Sequence, residues 1–322
     1  MRYLHHTLII FTLLMVSTLA QATQVPGPLV DTKWVKSHLK DIVILDVRDA
    51  KNFISKPVFK RDKKTGNLIL VKVGGHIPGA HRIDYKKLRT SKMINNIKID
   101  EMLPGKAAFE KIMQSFGLNK NATIVIMSEG ESNKDMTAAT RLYWSLKYYG
   151  EDNMAILNGG MAQWLKDGGN ISISPTKVKT GNWVATAERN DILATSDDIK
   201  KALKDPKVQL VDTRNVSLYM GTYKKSYVFA NGHIPGAKNF PNELVTGPKG
   251  KADFTSAKEV QSISKAVGID PKGEMITYCN SGHLATGSWF LYHEVLGNKN
   301  VKMYDGSMHE WTKEKGQTVS VN

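Results

Sequence analysis

The only cysteine of this 322-residue chain, Cys279, lies in a stretch whose residue types suit nucleophilic sulfur chemistry. A short apolar run at residues 275–278 precedes it and predicts a buried strand, and a helical pattern with Trp289 and Val295 among its apolar positions follows it. The cysteine is therefore expected at a strand end, in a tight loop that opens a helix. Such a loop brings backbone N–H groups together, and the helix N-terminus adds partial positive charge. Because the thiolate is the nucleophilic form of cysteine, the pattern predicts a reactive thiol.

The residues after the cysteine fit a loop that wraps around an anion. Gly282 allows the chain to curl, and the small Ala285 lets the loop close onto the helix. The predicted anion-binding loop consists of Asn280, Ser281, Gly282, His283, Leu284 and Ala285. His283 has two interpretations. It is either an imidazole beside the thiolate that is protonated or donates a hydrogen bond, or a solvent-facing loop histidine. For Cys279, the alternative is a buried and inert thiol.

Length and composition limit the class of protein. The chain is long enough for two domains with full cores, and its 41% hydrophobic and 23% charged residues are those of an ordinary globular protein. A single cysteine excludes an intramolecular disulfide and a multi-cysteine metal site, and no motif implies a cofactor or a metal. The net charge of +15 favours small anions over nucleic acid, because no zinc-finger, helix-turn-helix or aromatic-basic motif accompanies the scattered lysines.

The first 22 residues resemble an export signal. A basic start with Arg2 precedes an apolar run at residues 8–16, and the A-x-A-like site Ala20-Gln21-Ala22 follows. This order predicts a secretory signal peptide at residues 1–22, with an uncleaved anchor as the alternative. We therefore expect an exported, periplasmic protein without a membrane segment after cleavage. In that oxidising compartment a lone cysteine is unusual, so it is expected to be buried, paired with another molecule or reactive.

The elements that must position the loop occur twice along the chain. Apolar strands that end in Asp-x-Arg occur at residues 43–48 and 209–214. The hexapeptide Gly-His-Ile-Pro-Gly-Ala follows each of them, at residues 75–80 and 232–237. Each copy continues with a second apolar strand and a helix. The alternation predicts parallel α/β units with helices on both faces of each sheet.

The repeat also predicts the domain limits. We expect an N-terminal domain at residues 28–170, a linker at 171–190 that lacks strong periodicity, and a C-terminal domain at 191–322. Two stretches do not fit the repeat, at residues 56–73 and 86–104. Both are predicted as surface excursions, and the second as an irregular link.

Together these motifs resemble the rhodanese family, specifically its tandem two-domain sulfurtransferases. The resemblance rests on the Asp-x-Arg strand ends, both Gly-His-Ile-Pro-Gly-Ala turns, the Cys-x-x-Gly-x-x-Ala loop at Cys279 and the Gly-x-x-x-x-Trp stretches that end at Trp164 and Trp311. It implies an α/β fold of two tandem rhodanese-like domains, each a parallel five-stranded sheet with helices on both faces. It also implies that the N-terminal domain is catalytically inactive. Ser128 stands where the first copy would have its cysteine, and acidic residues follow it.

The resemblance implies a chemistry for the site. Cys279 would take sulfur from a small anionic donor, become a persulfide, and pass the sulfur to cyanide or a thiol acceptor. Arg214 would help to bind the donor through its guanidinium. A structural pairing of Arg214 with Asp212 is the alternative.

The donor stays open at this stage. Thiosulfate-using relatives have an arginine and a lysine where this chain has the neutral Asn280 and Ser281. Ser281 and Gly282 match mercaptopyruvate-using relatives, but Glu101 stands where those have a histidine. The expectation is thiosulfate, with 3-mercaptopyruvate as the alternative donor. A persulfide carrier that hands its sulfur to a protein acceptor is a further alternative, whereas a thiol redox protein is disfavoured because no resolving cysteine is present.

Overall fold

The structure is a computed structural model that describes residues 23–247 and 252–321, so the signal peptide predicted at residues 1–22 lies outside the described residues. The first half contains, in chain order, β1 (Leu29–Val30), α1 (Thr32–His38), β2 (Ile42–Asp46), α2 (Ala50–Phe53), β3 (Val58–Arg61), β4 (Leu68–Lys72), β5 (His81–Arg82), β6 (Thr90–Ile94), β7 (Ile97–Met102), α3 (Lys106–Ser115), β8 (Thr123–Met127), α4 (Asn133–Tyr148), β9 (Met154–Leu157) and α5 (Gly160–Lys166). The second half contains β10 (Leu193–Ala194), α6 (Ser196–Ala202), β11 (Gln209–Asp212), α7 (Val216–Met220), β12 (Lys238–Asn239), α8 (Ala257–Ala266), β13 (Met275–Tyr278), α9 (Ala285–Trp289) with a π-helical continuation (Phe290–Val295), β14 (Val301–Tyr304) and α10 (Ser307–Lys313).

Each half is built around one five-stranded sheet. The strand order is β1-β9-β8-β2-β5 in the first sheet and β10-β14-β13-β11-β12 in the second, and every pairing within them is parallel. The two orders correspond strand for strand. The predicted fold class is therefore confirmed, and so is the internal repeat on which it rests.

The central strands are buried on both faces, which explains their continuous apolar sequences. Ile124 and Ile126 of β8 pack in a cluster with α3 and α4, whereas Val125 and Met127 pack in another with α1, α2 and α5. The second sheet is covered in the same way, by α6 and α10 on one face and by α8 and α9 on the other. The strand that leads to Cys279 is thus held rigidly in a core.

One hydrophobic cluster extends from the first half into the second. The rings of Tyr143 on α4 and Phe290 meet edge to face at 5.0 Å. The helices α4 and α9 approach so closely that a Cβ on Gly287 would lie 2.7 Å from the Cγ2 atom of Thr137. The helix that follows the cysteine loop is therefore packed directly against the N-terminal half.

The two excursions differ from each other. Residues 56–73 contain the exposed antiparallel hairpin of β3 and β4, in agreement with a surface excursion. The prediction of an irregular link at residues 86–104 is wrong, because β6 and β7 form a second hairpin that contacts α10. Its turn is Asn95-Asn96, with φ values of 49° and 62°. Asparagine tolerates this left-handed conformation, which a two-residue hairpin turn requires.

The segment at residues 171–190 contains no helix or strand, but it packs against the first domain. Ser172 exchanges two backbone hydrogen bonds with His76, and Trp183 is buried against Phe109. Within the described ranges, no helix is both long and apolar enough to cross a membrane.

Candidate active site

The single cysteine lies at the bottom of a cleft of about 840 Å³ that residues of both halves line. β13 ends at Tyr278, Cys279 is the next residue, and α9 begins at Ala285. Only 2% of Cys279 is exposed. The structure thus places the thiol at the strand end and helix start that the sequence predicts, with access only through the cleft.

A buried serine on α10 holds the loop in shape. The Oγ atom of Ser307 accepts hydrogen bonds from the backbone N–H groups of Cys279 and Gly282, each at 3.1 Å, and donates to the carbonyl of Tyr304 at 2.7 Å. Among the described residues, four other N–H groups of the loop have no acceptor, and they belong to Asn280, Ser281, His283 and Leu284. These groups are free to stabilise an anion bound at the loop.

The N-terminal half contacts the loop at Gly282. The φ of Gly282 is 67°, and a Cβ there would lie 2.5 Å from the backbone oxygen of Asp305, so only glycine fits. The fully buried Arg141 of α4 donates through Nη1 to the Gly282 carbonyl at 2.9 Å and to Oδ1 of Asp305 at 2.5 Å. The second oxygen of Asp305 accepts from the backbone of Leu103 at 2.7 Å. Burial opposes the charge of Arg141, but the carboxylate of Asp305 raises its pKa above the ordinary value, so the ion pair persists.

His283 is half-buried, contacts the N-terminal half and lines the cleft. Its Nδ1 atom is hydrogen-bonded to the hydroxyl of Tyr85, and Nε2 lies 3.3 Å from Oγ1 of Thr137. Burial lowers the pKa of His283 to about 3, and the charges of Arg89 and Arg141 act in the same direction. The imidazole is therefore neutral at physiological pH. The lowered pKa speaks against a protonated His283, and a role of the neutral imidazole as a hydrogen-bond donor beside the thiolate stays a prediction.

Positive charge reaches the loop from Arg89, in the N-terminal half. Its Nη2 atom donates to the Ser281 carbonyl and, at 3.1 Å, to the Ser281 hydroxyl. Nη1 pairs with the carboxylate of Glu101 at 2.9 Å, and Nε donates to the Glu101 carbonyl at 3.0 Å. Glu101 therefore fixes the guanidinium at the wall of the cleft.

Arg214 is placed differently from the expected donor ligand. Its guanidinium is buried and bonds to both carboxylate oxygens of Asp212, at 2.9 Å from Nε and 2.5 Å from Nη2, and to the Gly232 carbonyl at 2.8 Å. It is not among the residues that line the cleft. The structural pairing with Asp212 is thus what the structure shows, and direct contact with a donor stays a prediction.

The equivalent position in the first half has no such loop. Ser128 is buried at the end of β8 and donates its hydroxyl to the sulfur of Met136 at 3.0 Å. The next residue, Glu129, lines the cleft and accepts from Asn52 at 3.0 Å. Burial raises the pKa of Glu129 to about 7, so this carboxyl is partly protonated at neutral pH.

Four residues of the site were not found from the sequence, namely Tyr85, Arg89, Arg141 and Ser307. The first three contact the loop across 141 to 198 residues of sequence, so no local pattern marks them. Ser307 did have a signal. In the repeat it aligns with Gly160, and both adopt a left-handed backbone, with φ values of 50° and 56°. A side chain retained where glycine is preferred points to a use for its hydroxyl.

Two parallel α/β domains that enclose one cysteine in a shared cleft define a tandem-domain protein with a single thiol site. The family model for the rhodanese-like domain matches the chain twice, at residues 31–167 and 195–314. The chain therefore belongs to the rhodanese family, as a member with two copies of the domain.

Individual relatives resemble the chain over nearly its whole length. It is 29% identical over 306 residues to the sulfur carrier protein TtuD of Thermus thermophilus, which covers 92% of this chain and 97% of that protein. It is 28% identical over 302 residues to a Haloferax volcanii protein named "Putative thiosulfate sulfurtransferase", covering 90% and 95% of the two chains. The crystal structure of Tum1 from Saccharomyces cerevisiae matches with a TM-score of 0.69 at 20% identity, over 90% of this chain and 96% of that one. At such low identity the structural match shows the fold alone.

Proposed function

We propose that the protein is a sulfurtransferase that moves a sulfane sulfur from thiosulfate to cyanide or a thiol through a persulfide on Cys279. The observation that carries the proposal is the placement of the only thiol at the bottom of the cleft, inside a loop whose N–H groups are free. Membership of the rhodanese family and the names of the relatives support it.

In the first step, the Cys279 thiolate attacks the outer sulfur of thiosulfate. The sulfur–sulfur bond of the donor breaks, its electron pair leaves with sulfite, and the outer sulfur stays on Cys279 as a persulfide. The free N–H groups of the loop stabilise the negative charge on the thiolate and on the terminal sulfur. Arg89 and Lys225, which both line the cleft, attract the dianionic donor.

In the second step, cyanide or a thiolate attacks the terminal sulfur, and the Cys279 thiolate is the leaving group. The N-terminal domain takes no part in either bond change, because Ser128 is bonded to Met136 and has only a weakly nucleophilic hydroxyl. Its role is to supply Arg89, Tyr85 and Arg141 to the loop. On the pattern of residues 1–22, we place the protein in the periplasm.

Two alternatives share this site. 3-Mercaptopyruvate is the alternative donor, favoured by the match of Ser281 and Gly282 to relatives that use it. A persulfide carrier without free turnover is the other, favoured by the sulfur carrier name of the Thermus relative.

The test uses the chain from Thr23 onwards, incubated with thiosulfate and cyanide while thiocyanate is measured. We expect steady turnover, the mass of one added sulfur on Cys279 before cyanide is supplied, and loss of both in Cys279→Ser. Ser128→Ala is the matched control at the equivalent position and should retain activity. Turnover by Cys279→Ser would contradict the assignment of Cys279 as the sulfur-carrying residue. Persulfide formation without turnover would favour the persulfide carrier.

A further inference from the structure

The wall of the cleft formed by the second half has an unusual outer surface. We call it the rim, and it consists of Val216, Tyr223, Lys224, Lys225, Tyr227 and Phe229. Its apolar and aromatic members are strongly exposed, at 56% for Val216, 44% for Tyr223, 40% for Tyr227 and 56% for Phe229. Exposed aromatic clusters of this kind mark interaction surfaces more often than ordinary solvated surface.

The rim is continuous with the cleft that contains the thiol. Lys225 and Tyr227 line the cleft together with Cys279. The hydroxyl of Tyr223 accepts from Nδ2 of Asn215 at 3.1 Å, and Asn215 also lines the cleft. A partner that covers the rim therefore lies directly over the entrance to the thiol.

The rim is also fixed in place by the element that shapes the cysteine loop. The backbone N–H of Phe229 donates to Oγ1 of Thr312 on α10 at 3.0 Å. The carbonyl of Tyr227 lies 2.6 Å from Nδ1 of His309, also on α10. The backbone of the rim is thus fixed before a partner binds, which reduces the entropy lost on binding.

The charge of the rim selects the kind of partner. From residue 213 to residue 242 the sequence contains no aspartate or glutamate, although it contains Lys224 and Lys225. The first half lines the cleft with groups of both signs, including Asp49 and Glu129 but also Arg48 and Lys134, and Glu243 is the first acidic residue after this stretch. An acidic partner is therefore attracted to the rim by Lys224 and Lys225.

From these observations we propose that the rim is the docking surface for an acidic protein acceptor, which inserts an extended thiol-bearing chain end into the cleft. The depth of the thiol sets the shape of that segment, because only a narrow chain can reach a residue that is 2% exposed.

The proposal rests on the proposed function, since the sulfur transferred is the persulfide sulfur of Cys279. The acceptor thiolate attacks the terminal sulfur, the bond between that sulfur and Sγ breaks, and its electron pair stays on the Cys279 thiolate. The acceptor leaves as a persulfide, so no external oxidant or reductant is needed.

The test compares two synthetic peptides that both end in Gly-Gly-Cys, one preceded by aspartates and glutamates and the other by asparagines and glutamines. Protein preloaded with thiosulfate is freed of excess donor, and the rate of sulfur transfer to each peptide is followed by mass spectrometry. At low salt we expect roughly tenfold faster transfer to the acidic peptide, through electrostatic attraction that high salt screens.

The variant K224E/F229A should lose this preference while its transfer to dithiothreitol stays unchanged. The matched control is K63E/F59A, which makes the same changes on the hairpin of β3 and β4 and should keep the preference. Equal rates for the two peptides, or a preference that survives in K224E/F229A, would overturn the docking surface. So would a rim that binds phosphatidylserine vesicles yet shows no peptide preference. Failure of the wild type to form any persulfide would overturn the proposed function together with the docking that depends on it.

Discussion

Arg89 changes what the cysteine loop can bind. The two residues after Cys279 are neutral, so the loop alone offers only backbone N–H groups to a dianion. Arg89 adds a guanidinium that is held by Glu101 and bonded to Ser281, with only 11% of its side chain exposed. A guanidinium held in this partly desolvated position interacts more strongly with a substrate anion than a solvated lysine does.

We predict that Arg89→Gln lowers kcat/KM for thiosulfate by about 10- to 100-fold, because a hydrogen bond to a charged group contributes roughly 1.5–3 kcal/mol. Most of the loss should appear in KM if Arg89 mainly binds the donor. Arg61→Gln, which removes the same charge from the exposed hairpin, is the control and should leave the kinetics unchanged.

The pH dependence of the same kinetics distinguishes Arg89 from His283 as the source of positive charge. Burial lowers the pKa of His283 to about 3, so the imidazole is neutral throughout the working range, whereas the guanidinium stays charged. The contribution of Arg89 to the KM for thiosulfate should therefore be constant between about pH 5.5 and 8. A KM that rises above about pH 6.5 in the wild type and not in His283→Gln would contradict this assignment.

At the level of elements, the position of the loop could be predicted because the strand before it and the helix after it are local signals. The apolar strand β13, the glycine at position 282 and the helix after Ala285 all follow one another in sequence. The contacts of Arg89 and Arg141 could not be predicted, because they depend on how two domains pack. The hairpin of β6 and β7 was missed for a different reason. Its Asn95-Asn96 turn is a recognisable local signal, but the segment lies outside the repeat.

The first turn of α10 is the element that shapes the loop, and Ser307 is its key residue. We predict that Ser307→Ala leaves the buried N–H groups of Cys279 and Gly282 without an acceptor. Each unpaired donor should lower the free energy of unfolding by about 1–3 kcal/mol. Sulfur transfer should slow as well, because the loop loses its shape. Urea unfolding and thiocyanate release measure the two effects.

Ser145→Ala is the control for this prediction. Ser145 is equally buried, but its hydroxyl only donates to the helix carbonyl of Arg141, so its removal leaves no backbone N–H unpaired. It should cost less than about 1 kcal/mol. If Ser307→Ala behaves like Ser145→Ala, the hydroxyl does not hold the loop.

For the whole molecule, the packing between the two domains predicts that they unfold as one unit. A single apolar cluster contains buried residues of both halves, and α4 of the first domain packs on α9 of the second. The first half therefore has two structural roles. It covers the apolar side of the second half, and it supplies the buried cation that contacts Gly282.

The ion pair between Arg141 and Asp305 allows this coupling to be measured. We predict that Arg141→Met destabilises the protein by about 3–5 kcal/mol, because it leaves the Asp305 carboxylate buried without its partner. Wild type and variant should each unfold in urea as one transition of tryptophan fluorescence, and sulfur transfer should be lost in parallel with the Gly282 contact.

The double variant R141M/D305N should recover part of the stability but not the activity, because no unpaired buried charge remains while the loop still lacks the contact from residue 141. Arg189→Met is the matched control, since Arg189 pairs with Asp152 at a partly exposed site and its loss should cost about 1 kcal/mol or less. Equal effects of the two arginine variants, or separate unfolding transitions for the two halves of the wild type, would show that the domains are not coupled through this pair.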